Sequence, residues 1–234
     1  MDEECASIAM DDGCKVVVPK HPLVKHCVAV LRHRDTQTLA FKHVMAELGR
    51  ALIYEATKDW LPTVTKVVPT PIDHASVEFI DETQPILNCS HSPSWPCFLR
   101  ARDISSPINK DISSRDEETL QPSVYLNKLP DRLPDGCRIL LMDPMLATGG
   151  TMITAIDLIK DRGAKIEQIR VISALTCPSA IEKLKEKFPG ICVYVAAVDP
   201  FLNDKGFLIP GLGDAGDRIN QWELGTGLFR AELN

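Results

Sequence analysis

The sequence predicts an α/β fold built on a parallel sheet, and the pattern of residues 138–199 predicts it most directly. Three apolar runs have the length and character of strands buried on both faces. These runs span residues 139–142, 169–175 and 191–198. Helical patterns at 151–162 and 179–188 separate them, with Gly163 placed to end the first helix. Strands alternating with helices at this spacing form parallel sheets with right-handed crossovers.

The carboxyl ends of such strands are the expected location of a binding site. Asp143, Thr176 and Asp199 fall at or near three of these ends. After Asp143, the small and hydroxylic residues 147–151 open the next helix. The backbone N–H groups of such a turn, beside the positive end of a helix dipole, suit a phosphate. A simple connector that only caps a helix is the alternative, but a carboxylate beside a phosphate suggests that sugar hydroxyls bind there as well.

Length, charge and composition limit the domain count, the partners and the location that we expect. The chain has 234 residues, a length for which we expect one domain. Its formal charge is −6 and it has no dense lysine or arginine block, so we expect no nucleic-acid partner. No apolar run reaches membrane-spanning length, and the acidic residues 2–4 are unlike a targeting peptide. We expect no membrane partner and an intracellular, cytoplasmic location, or a plastid only if a transit peptide is missing. The eight cysteines are scattered along the chain, and we expect them to be reduced thiols.

Residues 1–20 are expected to form a loose arm, 21–218 the domain, and 219–234 a tail of no assigned role. Two helices should follow His21, the second capped by Asp35 or Thr36, and a hairpin should pair 64–68 with 76–80. A strand is expected at 124–126. The alternating Lys183, Lys185 and Lys187 predict a solvated helix face.

The residues from Asp143 to Thr151 resemble a known signature. Asp-Pro-Met-Leu-Ala-Thr-Gly-Gly-Thr is similar to the phosphoribosyl pyrophosphate (PRPP) signature of type I phosphoribosyltransferases, in the version found in uracil phosphoribosyltransferases. Most other members carry two adjacent acids, where this chain has Asp143-Pro144. Residues 206–218 resemble the uracil-binding segment of the same family, with Phe207 where tyrosine is usual. The resemblance implies a Rossmann-like core with an N-terminal helical arm.

The resemblance also assigns roles residue by residue. It implies that PRPP is bound by Arg115, Asp143, Pro144, Met145, Leu146, Ala147, Thr148, Gly149, Gly150, Thr151 and Asp214. It implies that uracil is bound by Leu208, Gly213, Asp214 and Ala215, and that Asp143 and Asp214 are catalytic. Mg²⁺ is expected as a cofactor held through PRPP, without protein ligands. GTP binding and a homodimer or larger homo-oligomer are implied as well.

Residues 87–114 are atypical for this family. They are rich in proline and serine and lack a sustained apolar period, so the resemblance is expected to stop at 85–86 and resume at Arg115. The family places a buried strand, an Arg-Ala-Gly turn that contacts pyrophosphate, and a helix here. Residues 99–102 match that turn only faintly. We therefore consider an alternative exon or a reading-frame error, and two functions: a uracil phosphoribosyltransferase, or an inactive relative that binds uracil and PRPP or mixes with active subunits.

Overall fold

The computed structural model describes residues 7–10, 14–90, 108–111, 114–115, 122–123 and 132–224. In this part the helices are α1 (Pro22–Arg32), α2 (Thr38–Thr57), α3 (Gly150–Asp161), α4 (Pro178–Lys187) and α5 (Ala215–Leu224), with a short 3-10 turn at Ile166–Gln168. The strands are β1 (Ser7–Met10), β2 (Cys14–Val17), β3 (Thr63–Pro69), β4 (His74–Ile80), β5 (Ile86–Ser90), β6 (Ile108–Asp111), β7 (Ser114–Arg115), β8 (Pro122–Ser123), β9 (Arg138–Leu146), β10 (Ile169–Thr176), β11 (Ile191–Val198), β12 (Phe201–Leu202) and β13 (Leu208–Ile209).

The main sheet has the strand order β1-β2-β11-β10-β9-β5-β6. Its neighbouring strands are parallel, except that β1 is antiparallel to β2. Thr176 lies opposite Leu146 on one side and Val198 on the other, so β9, β10 and β11 end together at one edge. The predicted parallel sheet is confirmed, and Asp143 and Asp199 lie toward the same edge.

The core lies where helices cover the central strands. Consecutive residues of β9 and β10 are buried, which requires cover on both faces of the sheet. Helix α2 packs against β10 and β11, α3 against β9, and α4 against β11. The large side chains that α2 and α3 bury most completely are Phe41, Met45, Leu48, Leu52, Ile156 and Ile159. This cover fixes the edge at which the loops after the strands are presented.

The predicted loose arm over residues 1–20 is wrong for two segments. Strand β2 pairs in parallel with β11, with Val16 opposite Val193, and β1 pairs with β2. Val16 and Val17 are buried in the core. Strands of four residues are too short to show a periodicity, and the partner of β2 lies at the other end of the domain. Strands β1 and β2 therefore form through tertiary pairing, which the local sequence pattern does not indicate.

The predicted break at residues 87–114 is also too wide. Strand β5 continues through Ser90 between β9 and β6, and Leu87 and Cys89 are buried. Strand β6 then lies at the edge of the same sheet. Asn88, which is buried, interrupts the apolar pattern of β5, and this interruption explains why the sequence does not predict the strand. Residues 91–107, which include the faint turn at 99–102, and the strand predicted at 124–126 lie outside the described residues.

Several boundaries differ from the prediction by a few residues. Both N-terminal helices and the hairpin of β3 and β4 are confirmed, but Gln37 precedes α2 at the N-cap. The Thr36 hydroxyl instead donates to the carbonyl of Val30 at 2.6 Å. Helix α5 runs to Leu224 and buries Ile219, so the tail predicted from residue 219 begins inside a helix.

Candidate functional site

The loop of residues 143–151, here called the phosphate loop, joins β9 to α3. Strand β9 extends three residues past Asp143 and ends at Leu146. Gly149 is the N-cap residue of α3 with φ 78°, a left-handed conformation that side chains with a Cβ rarely adopt. Gly150 begins the helix. Strand, turn and helix therefore follow each other as the sequence predicts.

The start of α3 presents main-chain donors to the edge of the sheet. The first helical hydrogen bond runs from the N–H of Ile153 to the carbonyl of Gly149 at 2.9 Å. Within the part of the chain that the structure describes, the N–H groups of Gly149, Gly150 and Thr151 donate to no protein acceptor. Unpaired N–H groups at the positive end of a helix dipole attract an anion.

Asp143 is the acidic residue of this loop. Its side chain is buried, and one carboxylate oxygen accepts a hydrogen bond from the N–H of Met145 at 3.1 Å. Asp143, Met145, Leu146, Ala147, Thr148, Gly149, Thr151 and Met152 line a cavity of about 80 Å³. The carboxylate and the helix start therefore face one space, which can hold a phosphate at one end and hydroxyl groups at the other.

Strand β10 and helix α4 hold the phosphate loop from behind. The N–H of Leu146 donates to Ser173 Oγ at 3.1 Å, and Thr176 Oγ1 donates to the carbonyl of Leu146 at 3.0 Å. Ser173 and Thr176 are fully buried. Lys183 Nζ on α4 donates to the carbonyl of Thr148 at 3.2 Å. The loop is thus braced by buried hydroxyls, with one lysine charge close to it.

A second segment, residues 206–217, is called the glycine-rich loop. It begins in the hairpin of β12 and β13, where Asn203 Oδ1 accepts from the N–H of Phe207 at 2.9 Å. A Cβ placed on Gly206 would lie 3.7 Å from Cγ2 of Thr148. The two loops, which are far apart in the sequence, therefore adjoin at the edge of the sheet.

The predicted base-binding residues have different surroundings. Leu208 and Ala215 are buried, whereas Gly213 and Asp214 are exposed. Asp214 Oδ1 accepts from the N–H of Asp217 at 2.9 Å, which makes Asp214 the N-cap of α5. The side chains of Leu208 and Ala215 belong to the hydrophobic core, so these two residues can offer a ligand only their main-chain groups.

Two arginines attach the glycine-rich loop to the end of α1. Arg32 pairs with Asp199 and donates to the carbonyl of Gly211 at 2.9 Å. Arg218 donates to the carbonyls of Leu31, Leu212 and His33, and its guanidinium lies over the Phe41 ring with 4.3 Å to the centroid. Burial lowers the pKa of Arg218.

The structure brings part of the predicted site together. Asp143, residues 145–149 and Thr151 line the cavity, and Gly206 lies beside Thr148. Leu208, Gly213, Asp214 and Ala215 follow Gly206 in the chain but do not line the cavity. The backbone of Arg115 lies in β7, and its side chain lies outside the described residues. Sequence reasoning missed Lys183, expected on a solvated face, although this exposed side chain contacts the phosphate loop. It also missed Arg32, for which position in the last turn of a helix is the only sequence signal.

Comparison with known proteins identifies the family. The family model described as uracil phosphoribosyltransferase matches residues 18–90 and 102–221. The chain belongs to the uracil phosphoribosyltransferase family. The match includes residues 87–90 and 102–114, so the predicted interruption of the family pattern at 87–114 narrows to residues 91–101. Both loops of the site lie within the matched part.

Individual relatives agree with this assignment. A uracil phosphoribosyltransferase of Nicotiana tabacum is 52% identical over 206 residues, which cover 87% of this chain and 92% of the relative. A chloroplastic uracil phosphoribosyltransferase of Arabidopsis thaliana is 50% identical, over 91% of this chain and 73% of the relative. The uracil phosphoribosyltransferase of Synechococcus elongatus is 42% identical, over 88% and 96%.

Solved structures agree on the fold. A protein of Aquifex aeolicus is 34% identical and has a TM-score of 0.73, over 87% of this chain and 97% of the other. The adenine phosphoribosyltransferase of Trypanosoma brucei, at 13% identity and a TM-score of 0.50, shares the fold over 90% of this chain and 92% of the other. The expected phosphoribosyltransferase core is confirmed.

Among the helices of the described residues, none combines the length and apolarity needed to cross a bilayer. The same residues contain no group of three or more His, Cys, Asp or Glu side chains arranged to hold a metal ion.

Proposed function

We propose that this member of the family transfers the phosphoribosyl group of PRPP to uracil, forming uridine monophosphate and diphosphate. The observation that carries the proposal is the approach of Gly206 to Thr148. It puts the segment that resembles a uracil site beside the segment that resembles a PRPP site. A base nitrogen and an anomeric carbon could therefore be held together, which is the main requirement of a transfer that needs positioning more than a nucleophile.

The phosphate loop is proposed to bind the 5′-phosphate. The N–H groups of Gly149, Gly150 and Thr151, with the Thr148 and Thr151 hydroxyls, supply donors at the positive end of α3. Gly150 has an ordinary helical conformation, and a Cβ there would lie 3.8 Å from Thr148 Oγ1. The protein itself therefore tolerates a larger residue at 150, and close approach of a phosphate explains the glycine.

Asp143 is proposed to accept hydrogen bonds from the ribose hydroxyls. Its carboxylate is largely buried, so its charge acts in a low dielectric on the positive charge that develops at the sugar. The bond from the Met145 N–H holds one oxygen and leaves the orientation of the carboxylate fixed. Pro144, Met145, Leu146 and Ala147 then carry the chain from the sugar end of the site to the phosphate end.

The glycine-rich loop is proposed to recognise uracil through its main chain. A pyrimidine edge alternates donors and acceptors, and a rigid loop that matches uracil leaves groups unpaired against cytosine. Leu208, Gly213 and Ala215 are proposed to supply these groups. Asp214 is proposed to face PRPP. As the N-cap of α5 it has one oxygen fixed by Asp217, which sets the direction of the other.

Mg²⁺ is proposed to accompany the diphosphate of PRPP. The donor set fits an ion held by substrate oxygens, since the described residues offer the single buried carboxylate of Asp143 near the cavity and no ligand cluster. When bound, the ion neutralises the diphosphate. Arg115 is proposed to contact the same diphosphate as a fixed positive charge.

Assembly, effector binding and location are also proposals. Val67, Ile72 and Phe79 are exposed on the hairpin of β3 and β4, which supports a homodimer or larger homo-oligomer. GTP binding is proposed from the family resemblance. A cytoplasmic location is also proposed, with a plastid as the alternative, since the relative from Arabidopsis is named as chloroplastic. Light scattering of the purified protein, with and without GTP, measures both assembly and its response to the nucleotide.

Product identification tests the proposed function. Purified protein, PRPP and Mg²⁺ are incubated separately with uracil, cytosine and hypoxanthine, and nucleotides are resolved by chromatography. We expect uridine monophosphate from uracil and background from the other bases. Binding of uracil and PRPP without product would favour the inactive relative, and faster turnover of another base would contradict the assigned specificity.

A further inference from the structure

The turn at Gly211 in the glycine-rich loop is held from both sides by one ion pair. Arg32 Nη1, at the end of α1, donates to the Gly211 carbonyl at 2.9 Å and to Asp199 Oδ2 at 3.2 Å. Arg32 Nη2 donates to Asp199 Oδ1. Asp199 Oδ2 also accepts from the Gly211 N–H at 3.0 Å. The N–H and C=O of a single residue are therefore both bonded to the same pair of side chains.

Burial makes this arrangement costly to disturb. The Asp199 side chain is 2% exposed and that of Arg32 is 24% exposed. A carboxylate removed from water needs its cation and its hydrogen bonds, so loss of Arg32 would leave an uncompensated charge beneath the loop. Arginine suits the position because its planar fork can bond a carboxylate and a carbonyl at once.

The loop has little freedom to adapt at this point. Gly211 has φ 60°, and a Cβ placed on it would lie 2.2 Å from the carbonyl oxygen of Leu208. Leu208 is proposed to bind uracil, and Gly213, which has the same proposed role, lies two residues after Gly211. A change in the orientation of Gly211 would therefore move groups on both sides that are proposed to read the base.

Among the described residues, no hydrogen bond joins the phosphate loop to this ion pair. Ser173, Thr176 and Lys183 brace the phosphate loop. In the same residues, Asp199 bonds to β10 through its main-chain N–H, which the Arg32 side chain does not touch and which donates to the Thr176 carbonyl at 2.7 Å. Disturbing the Arg32–Asp199 pair should therefore affect base binding far more than PRPP binding.

We infer that Arg32 and Asp199 are positioning residues for uracil, acting through the Gly211 main chain without contacting the substrate. This inference rests on the proposed function. It predicts that the pair sets the affinity for the base and its selectivity over other pyrimidines. It also makes the end of α1, which lies outside both signature segments, part of the machinery that selects the substrate.

The test compares Arg32→Met with the matched control Arg170→Met. Arg170 also bonds one carboxylate, that of Asp59 at 2.9 Å, and one helix-end carbonyl, that of Ala56, but it lies at the opposite end of the sheet. The KM for uracil, the kcat and the Kd for PRPP are measured for each variant, with thermal unfolding as a check on folding.

We expect Arg32→Met to raise the KM for uracil at least about tenfold, equivalent to about 1.4 kcal/mol, with the Kd for PRPP within about twofold. Arg170→Met should lower the unfolding temperature while leaving the KM for uracil within about twofold. Arg32→Lys should recover part of the affinity, because it restores the charge but not the fork. An unchanged KM for uracil, or parallel losses for uracil and PRPP, would overturn the inference.

Asp199→Asn serves if Arg32→Met does not fold. It keeps an acceptor for Gly211 and removes the charge, and the same split between uracil and PRPP is expected. If the unmodified protein makes no uridine monophosphate, the proposed function fails separately. In that case, the Kd for uracil, measured by calorimetry with PRPP present, replaces the KM. The inference is overturned if Arg32→Met binds uracil with wild-type affinity. It is also overturned if the wild-type protein does not bind uracil.

Discussion

The phosphate loop and the glycine-rich loop reach the same edge of the sheet by different means. The phosphate loop overlaps the end of the nine-residue strand β9 and the start of the twelve-residue helix α3, which fix both of its ends. The glycine-rich loop contains only the two-residue strand β13 before Gly211, and Arg32 reaches Gly211 from 179 positions away in the chain. Local sequence therefore shapes the phosphate loop, whereas the conformation of the glycine-rich loop depends on the packing of a remote helix.

The largest effect expected within the phosphate loop comes from Asp143→Asn. It removes a buried charge from the sugar end of the cavity, and we expect kcat/KM to fall by about 100-fold or more, as for loss of a preorganised electrostatic group. Steady-state kinetics with both substrates measures it. Asp157→Asn, an exposed carboxylate on α3 that pairs with Lys187, is the control and should stay near wild type. Equal losses in the two variants would exclude a specific role for Asp143.

Gly211→Ala tests the glycine-rich loop. The added Cβ cannot lie 2.2 Å from the Leu208 carbonyl, so the turn must open. We expect a loss of roughly 1–3 kcal/mol in the free energy of unfolding and at least about a tenfold rise in the KM for uracil. Denaturant unfolding and kinetics measure these. A Kd for PRPP that rose as much as the KM for uracil would show that the two loops are not independent.

Gly149→Ala and Gly150→Ala separate conformation from ligand contact in the phosphate loop. Gly149 has φ 78°, so alanine there should cost roughly 1–2 kcal/mol of stability. Gly150 is helical and unhindered, so alanine there should leave stability unchanged while weakening PRPP binding about tenfold. Unfolding and calorimetry distinguish the two. If Gly150→Ala binds PRPP normally, a phosphate does not approach that residue closely.

Lys183→Met should have the smallest effect. Its ammonium group is exposed and contacts the Thr148 carbonyl, so we expect PRPP affinity to fall about two- to fivefold and the loss to shrink at high salt. Titrations at two ionic strengths measure this. Lys205→Met, in the exposed turn before the glycine-rich loop, is the control. A salt-independent loss would point to disturbed packing in place of charge.

The sequence predicts the structure of the phosphate loop well because that loop is contiguous. The apolar run before Asp143 and the glycines after it determine strand, turn and helix in one stretch, and the structure has them in that order. Strand β2 was not predictable because four residues carry no period and its partner β11 lies at the far end of the domain. Strand β5 was not predicted because the buried Asn88 interrupts its apolar pattern.

The supports of the site were not predictable for a related reason. Arg32 reads as an ordinary basic residue near a helix end, and Lys183 as one of three alternating lysines on a solvated face. Only the packing of α1 against the glycine-rich loop, and of α4 against the phosphate loop, gives these side chains their partners. The contacts that hold a loop in place are long-range even when the loop itself is a recognisable motif.

A single-turnover experiment tests most directly whether the two loops form one site for transfer. Protein in excess over labelled uracil is mixed with PRPP and Mg²⁺, quenched at intervals, and assayed for uridine monophosphate and diphosphate. We expect the two products to appear together in a one-to-one ratio, and to be nearly absent with Asp143→Asn. Binding of both substrates to the wild-type protein without formation of uridine monophosphate would contradict the account.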